Sequence, residues 1–78
     1  MRISKKVKRH KLYKLRWEHN LTQAEFAAKI GASCRCYQNV EWGERDGTAK
    51  FWAAVQRTFN IPDAEMYSYT KIDEQVSE

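Results

Sequence analysis

Apolar residues recur along this chain at helical spacing. Leu12, Leu15 and Arg16 share one face at i, i+3 and i+4, which predicts a helix that begins between Ser4 and Lys11 and runs to His19. Asn20 suits the left-handed position that ends a helix, and Leu21 then packs back. Thr22 with Glu25 three residues later is a capping box, opening a second helix whose inner face is Phe26, Ala27 and Ile30. Gly31 stops it, Ser33 caps a third helix running to about Trp42, and Tyr37, Val40 and Glu41 fall on one face of that helix. Gly43 ends the third helix and residues 44–47 form a charged turn. Thr48 caps a fourth helix over residues 49–59, its apolar face made of Trp52, Val55, part of Gln56, and Phe59. Asn60 ends it. Pro62 holds Ile61 extended and starts a short fifth helix over residues 63–67. Residues 68–78 read as a polar, acidic, partly disordered tail, with a short strand through the alternating Tyr67 and Tyr69 as the other reading. The fold class expected is all-α with five helices: an arm or helix start over residues 1–10, a domain over 11–67 and a tail over 68–78.

Composition narrows this picture. Seventy-eight residues make one domain, and a chain of this size buries only about 60–65% of its unfolded surface, so dimerisation or a ligand would add needed stability. One proline and three glycines argue against a loop-rich or all-β chain. The net charge is +4, but its placement is more informative. Arg2, Lys5, Lys6, Lys8, Arg9, Lys11, Lys14 and Arg16 precede the first acid, and the rest of the chain is net negative. A basic end on an acidic body implies a polyanionic partner, with nucleic acid ahead of an anionic membrane surface. No apolar stretch follows the charges as in a signal peptide, and no run approaches the roughly 20 apolar residues of a membrane span, so a cytoplasmic protein is expected. Cys34 and Cys36 are too close for an ordinary disulfide within a helix, and with His10 and His19 their spacing fits no common zinc pattern. They read as reduced thiols, Cys36 turned partly inward as a small filler. No metal, no cofactor and no catalytic residues are expected: no phosphate loop, dinucleotide fingerprint or nucleophile–base pair stands in the sequence.

The most informative segment is residues 23–42. Two helices meet there across a very short turn, and each position that must be small, flexible or apolar is so: Ala27 at the close approach, Gly31 at the reversal, and Phe26, Ile30, Ala32, Tyr37 and Val40 in the wedge. The outer face of the third helix carries Ser33, Cys34, Arg35, Gln38 and Asn39, and no acid occurs from Ala32 to Val40. A surface facing phosphates excludes acids.

The string LRWEHNLTQAEFAAKIGAS with the later Glu41-Trp42-Gly43 resembles the Cro/repressor-type (Xre) helix-turn-helix family over about residues 11–67. The resemblance implies a five-helix, repressor-like domain that binds double-stranded DNA with residues 33–42 in the major groove. It implies that Gln23 contacts phosphate and reaches a base, and that Ser33, Cys34, Arg35, Gln38 and Asn39 face the groove. Arg35 would fork onto guanine, and Gln38 or Asn39 would pair with adenine. It further implies a partly buried ion pair between Arg16 and Glu41, and backbone contacts from the turn after Gly43 through Arg45 and Lys50. Cys34 departs from the long polar residue many relatives carry, Glu44 and Asp46 are poor neighbours for phosphate, and a proline common near this turn is missing. Trp42 either packs under the loop or stacks on a sugar or a partner. The basic arm, with Lys5, Lys6 and Arg9, is the least family-like part and is expected to track phosphates or enter the minor groove.

These readings make the chain a small, sequence-specific transcriptional regulator, dimeric on a two-fold site through Tyr67, Phe59 or the turn between the fourth and fifth helices. Two alternatives stand beside it. One is an antitoxin that binds its toxin through the acidic C-terminal segment and also its own operator. The other is a protein-bridging helix-turn-helix factor that reads no sequence.

Overall fold

The computed structural model describes residues 7–72, and among these every regular element is a helix: α1 (His10–Glu18), α2 (Gln23–Ile30), α3 (Cys34–Glu41), α4 (Ala49–Phe59) and α5 (Asp63–Thr70). The helix boundaries follow from local chemistry. The Thr22 hydroxyl accepts from the Glu25 amide at 3.1 Å, while the Thr22 amide donates to the Glu25 carboxylate at 2.9 Å. Ser33 and Thr48 cap α3 and α4 the same way, accepting from the amides of Cys36 and Phe51. Each hydroxyl satisfies a donor the helix cannot satisfy itself. Asn20 and Asn60 adopt the left-handed conformation at φ 56°, where a short polar side chain is tolerated. Gly31 does so at φ 77°, and a Cβ built there meets nothing within 4 Å. Gly43 is different: a Cβ would lie 2.8 Å from the Lys8 Cβ, so both backbone conformation and space demand glycine.

The helices bury one aromatic-rich core. Phe26 on α2 lies at its centre, its ring centroid 4.6 Å from Tyr37 and 4.9 Å from Phe59. Leu12 and Leu15 from α1, Val40 from α3, Val55 from α4 and Ile61 close around it, with Leu21, Ile30 and Ala32 half-buried at the edge. Full burial of side chains such as Phe26, Leu12 and Val55 contributes about 1.5–3 kcal/mol each. α2 packs against α3 and α4, α1 against α3 and α5, and α4 against α5.

Three expectations change. The buried face of α4 centres on Phe51, Ala54 and Val55, with Trp52 and Phe59 only partly covered. Phe51 belongs to the core because α3 lies on that side, its Tyr37 ring 6.5 Å away. α5 continues to Thr70, so residues 68–70 are helix and not tail, and no strand forms at Tyr67 and Tyr69. The reason is packing: Tyr69 is buried on this extra turn, with the Lys11 ammonium 4.9 Å from its ring centroid. Last, residues 7–9 are no free arm. Val7 and Arg9 are buried, and the amides of Lys8 and Arg9 both donate to the Glu41 carbonyl at 3.1 Å. Lys5 and Lys6, and the tail beyond residue 72, lie outside the described residues.

Candidate nucleic-acid interface

Tyr37 and Val40 turn the inner face of α3 into the core, which leaves Ser33, Cys34 and Arg35 exposed and Gln38 and Asn39 half-buried on the opposite side. Gln23, the first residue of α2, stands beside them: Gln38 Nε2 donates to Gln23 Oε1 at 2.9 Å. Six of the residues singled out in the sequence therefore fall on the α2–α3 unit. Cys36 is exposed and not an inward filler, because Phe51 and Tyr37 already occupy the core beside it. It lines an open cleft with Ile30, Ala32, Thr48, Lys50 and Arg57, which brings Lys50 to the α4 flank of the same surface. Arg45 lies in the loop at the far end of α3, with its side chain exposed. Trp42, half-buried, caps α3 there.

A buried polar cluster backs this surface. Glu41 is 1% exposed and sits among donors. Arg16 Nε donates to its Oε1 at 3.0 Å and Nη2 to its Oε2 at 3.4 Å. The Tyr37 hydroxyl donates to Oε1 at 2.5 Å, and Gln23 Nε2 to Oε2 at 3.1 Å. Arg16 also donates to the Leu21 carbonyl at 3.0 Å, which ties the end of α1 to the start of α2. Burial pulls the Arg16 guanidinium downward, but the hydrogen bonds and charge of Glu41 outweigh it and raise its pKa. Burial first, then the Glu41 charge, raises the Tyr37 hydroxyl well above the ordinary tyrosine value. The expected Arg16–Glu41 pair thus exists, within a larger cluster. The Tyr37 hydroxyl is a member that the expected pair does not include, though the i, i+4 spacing from Tyr37 to Glu41 is a signal for it. The resemblance implies a phosphate contact for Gln23, yet both polar atoms of its side chain are engaged inside the protein.

Arg9 forms a second buried polar centre. It is 2% exposed; its Nε donates to the Thr70 carbonyl at 2.8 Å, and its Nη1 to the carbonyls of Val40 at 2.7 Å and Arg45 at 3.0 Å. Asp46 lies 3.7 Å from Nη2 but is itself fully open to solvent. Desolvation lowers the Arg9 pKa, with Asp46 opposing. Arg9 is thereby a clamp joining the N-terminal segment, the ends of α3 and α5 and the loop after α3. Its burial, with Nε and Nη1 held by carbonyls and Nη2 beside Asp46, leaves it unsuited to the phosphate contact expected of the basic arm.

Among the described residues, no group of three His, Cys, Asp or Glu side chains could hold a metal ion, and no helix is long and apolar enough to cross a membrane. Compared with protein-family models, curated proteins and solved structures, the chain finds no match.

Proposed function

We propose that this chain binds double-stranded DNA in a sequence-selective way, as a small homodimeric transcriptional regulator with α3 in the major groove. One observation carries the reading: α3 turns an acid-free polar face (Ser33, Arg35, Gln38, Asn39) to solvent while its other face is locked to α1 and α2 through buried Glu41. A major groove about 12 Å wide admits a helix. A reading helix must be held rigidly, and the Glu41 cluster meets that need. Arg35, exposed in the first turn of α3, has the fork geometry for guanine O6 and N7. Ser33 at the α3 N-terminus and Lys50 on the adjoining α4 flank serve phosphates. For the dimer surface, Tyr67 on α5 is 73% exposed, whereas Phe59 is stacked on Phe26 and is committed to the core. No catalytic role is assigned.

In vitro selection of duplexes by the full chain tests this reading, repeated with Arg35→Ala. The expected outcome is one defined motif containing a guanine whose preference, worth about 1–3 kcal/mol, disappears in the variant. Recovery of no motif overturns the reading and favours a bridging factor. A motif unchanged by Arg35→Ala overturns the assignment of Arg35.

A further inference from the structure

The Glu41 cluster does more than brace α3. A carboxylate paired with arginine only accepts hydrogen bonds, and a side-chain amide has one accepting and one donating end. Glu41 Oε2 therefore requires the NH2 end of Gln23, as observed at 3.1 Å. Reversing that amide would set a carbonyl oxygen against a carboxylate. With its NH2 end committed, Gln23 turns its carbonyl to Gln38, and that carbonyl requires the NH2 end of Gln38, as observed at 2.9 Å. The direction of each bond is dictated by the one before it. Gln38 is thereby left with its own carbonyl oxygen and its second N–H directed away from Gln23, and its side chain makes no other hydrogen bond among the described residues.

We infer that the chain from Glu41 through Gln23 to Gln38 fixes the amide of Gln38 so that it presents an acceptor, and that Gln38 selects a base carrying an exocyclic amino group in the major groove, adenine or cytosine. This inference rests on the proposed DNA binding. Adenine N6 or cytosine N4 donates to the Gln38 carbonyl, and the second N–H of Gln38 remains to meet adenine N7. Guanine O6 and thymine O4 are acceptors that only the second N–H could meet, leaving the Gln38 carbonyl without a donor, whereas adenine satisfies both ends at once. An unconstrained glutamine would rotate its amide to suit either class. Here rotation would break the bond to Gln23 and set two carbonyls together. Gln23 is a positioning residue in this arrangement: it acts on the base only through Gln38. The Tyr37 hydroxyl and Arg16 hold the carboxylate from which the polarity originates.

Two measurements test it. In the first, duplexes differing at a single base compete for the full chain, at the motif position whose preference is lost in Gln38→Ala. Adenine or cytosine should be favoured there by about tenfold over guanine and thymine. Gln23→Ala, and Gln23→Met as a variant of similar length, should reduce that ratio below about threefold while leaving the Arg35-dependent guanine intact. Both readouts are ratios within one sample, so loss of folded protein does not imitate the effect. A preference for guanine or thymine at this position, or a ratio unchanged in both Gln23 variants, overturns the inference while leaving DNA binding standing. The second measurement needs no DNA: 15N-resolved NMR of the side-chain amides. The Gln38 NH2 should be protected from exchange and close to the Gln23 side chain, and both signs should vanish in Gln23→Met. An unprotected Gln38 NH2 in the wild-type chain overturns the fixed amide. Selection of no sequence at all overturns the DNA reading and the base preference together, and the NMR result then decides the amide orientation by itself.

Discussion

Glu41 and Arg9 are both buried charges at the same end of α3, and they are satisfied in opposite ways. Glu41 is surrounded by side chains: Arg16, Tyr37 and Gln23. Arg9 is hydrogen-bonded to backbone, the carbonyls of Val40, Arg45 and Thr70, with the Trp52 ring 5.7 Å away and a solvent-exposed aspartate at its edge. The two centres meet, since the Glu41 carbonyl accepts from the amides of Lys8 and Arg9. The difference teaches how each would tolerate replacement. A cluster of side chains can in principle be exchanged as a set for apolar groups, because every polar atom in it is removable. The carbonyls around Arg9 remain whatever residue replaces it, so their need for donors persists.

The largest effect should follow loss of the carboxylate. Glu41→Ala leaves Arg16 without its counter-ion and Tyr37 without its acceptor, and should cost about 3–5 kcal/mol of unfolding free energy in urea titration. A loss below about 1 kcal/mol would break the comparison, since the cluster would then contribute little. Arg9→Met should cost about 2 kcal/mol by removing the side-chain donor from the part-buried carbonyls of Thr70 and Arg45, while Val40 keeps the Gly43 amide. Arg9→Lys should restore little of this, because one ammonium cannot reach three carbonyls as a fork does. If thermal denaturation shows Arg9→Lys as stable as the wild type, Arg9 acts as a simple charge and the clamp is wrong. The smallest effect, about 1–1.5 kcal/mol at neutral pH, is expected for Tyr37→Phe. It also has a pH signature. Burial and Glu41 raise the folded-state pKa of Tyr37 above its usual value of 10.0. Its protonated form is thus favoured in the fold. The stability it contributes is fully present below about pH 10 and is lost as pH rises beyond the unfolded value. Urea titrations at pH 8 and pH 11 should show this alkaline loss in the wild type and a smaller one in Tyr37→Phe.

The same contrast explains what was legible in the sequence. Caps and breakers announce themselves locally: Thr22 with Glu25, Gly31, Ser33, Thr48 and Asn60 each do their work within a few residues, and the helix starts and stops follow. The Arg16–Glu41 pair is legible as a resemblance between side-chain types at two positions. The Arg9 clamp is not, because a carbonyl carries no residue identity and its partners lie 31, 36 and 61 residues away. Read along the chain, Arg9 is one more cation in a basic stretch. The extra turn of α5 escaped for a related reason: Ser68, Tyr69 and Thr70 have weak helix propensity, and it is burial of Tyr69 against α1 that makes them helical. Burial of Phe51 is not legible either, because the side of α4 that faces inward depends on where α3 lies. At the candidate interface, exposure of the α3 outer face follows from periodicity. The direction of the Gln23 and Gln38 amides does not, since it depends on a carboxylate eighteen residues further along.

The turn between α2 and α3 demands handedness, not smallness, at residue 31. The space above Gly31 is open, so no neighbour limits the size of a side chain there. What an L-residue would pay is its left-handed backbone conformation, about 1–2 kcal/mol for most side chains. A D-amino acid meets the same torsion angles without that cost and would also restrict the unfolded chain. In a domain short enough for chemical synthesis, a mirror-image residue at position 31 would give a reporter group a place beside the candidate interface with the turn left undisturbed.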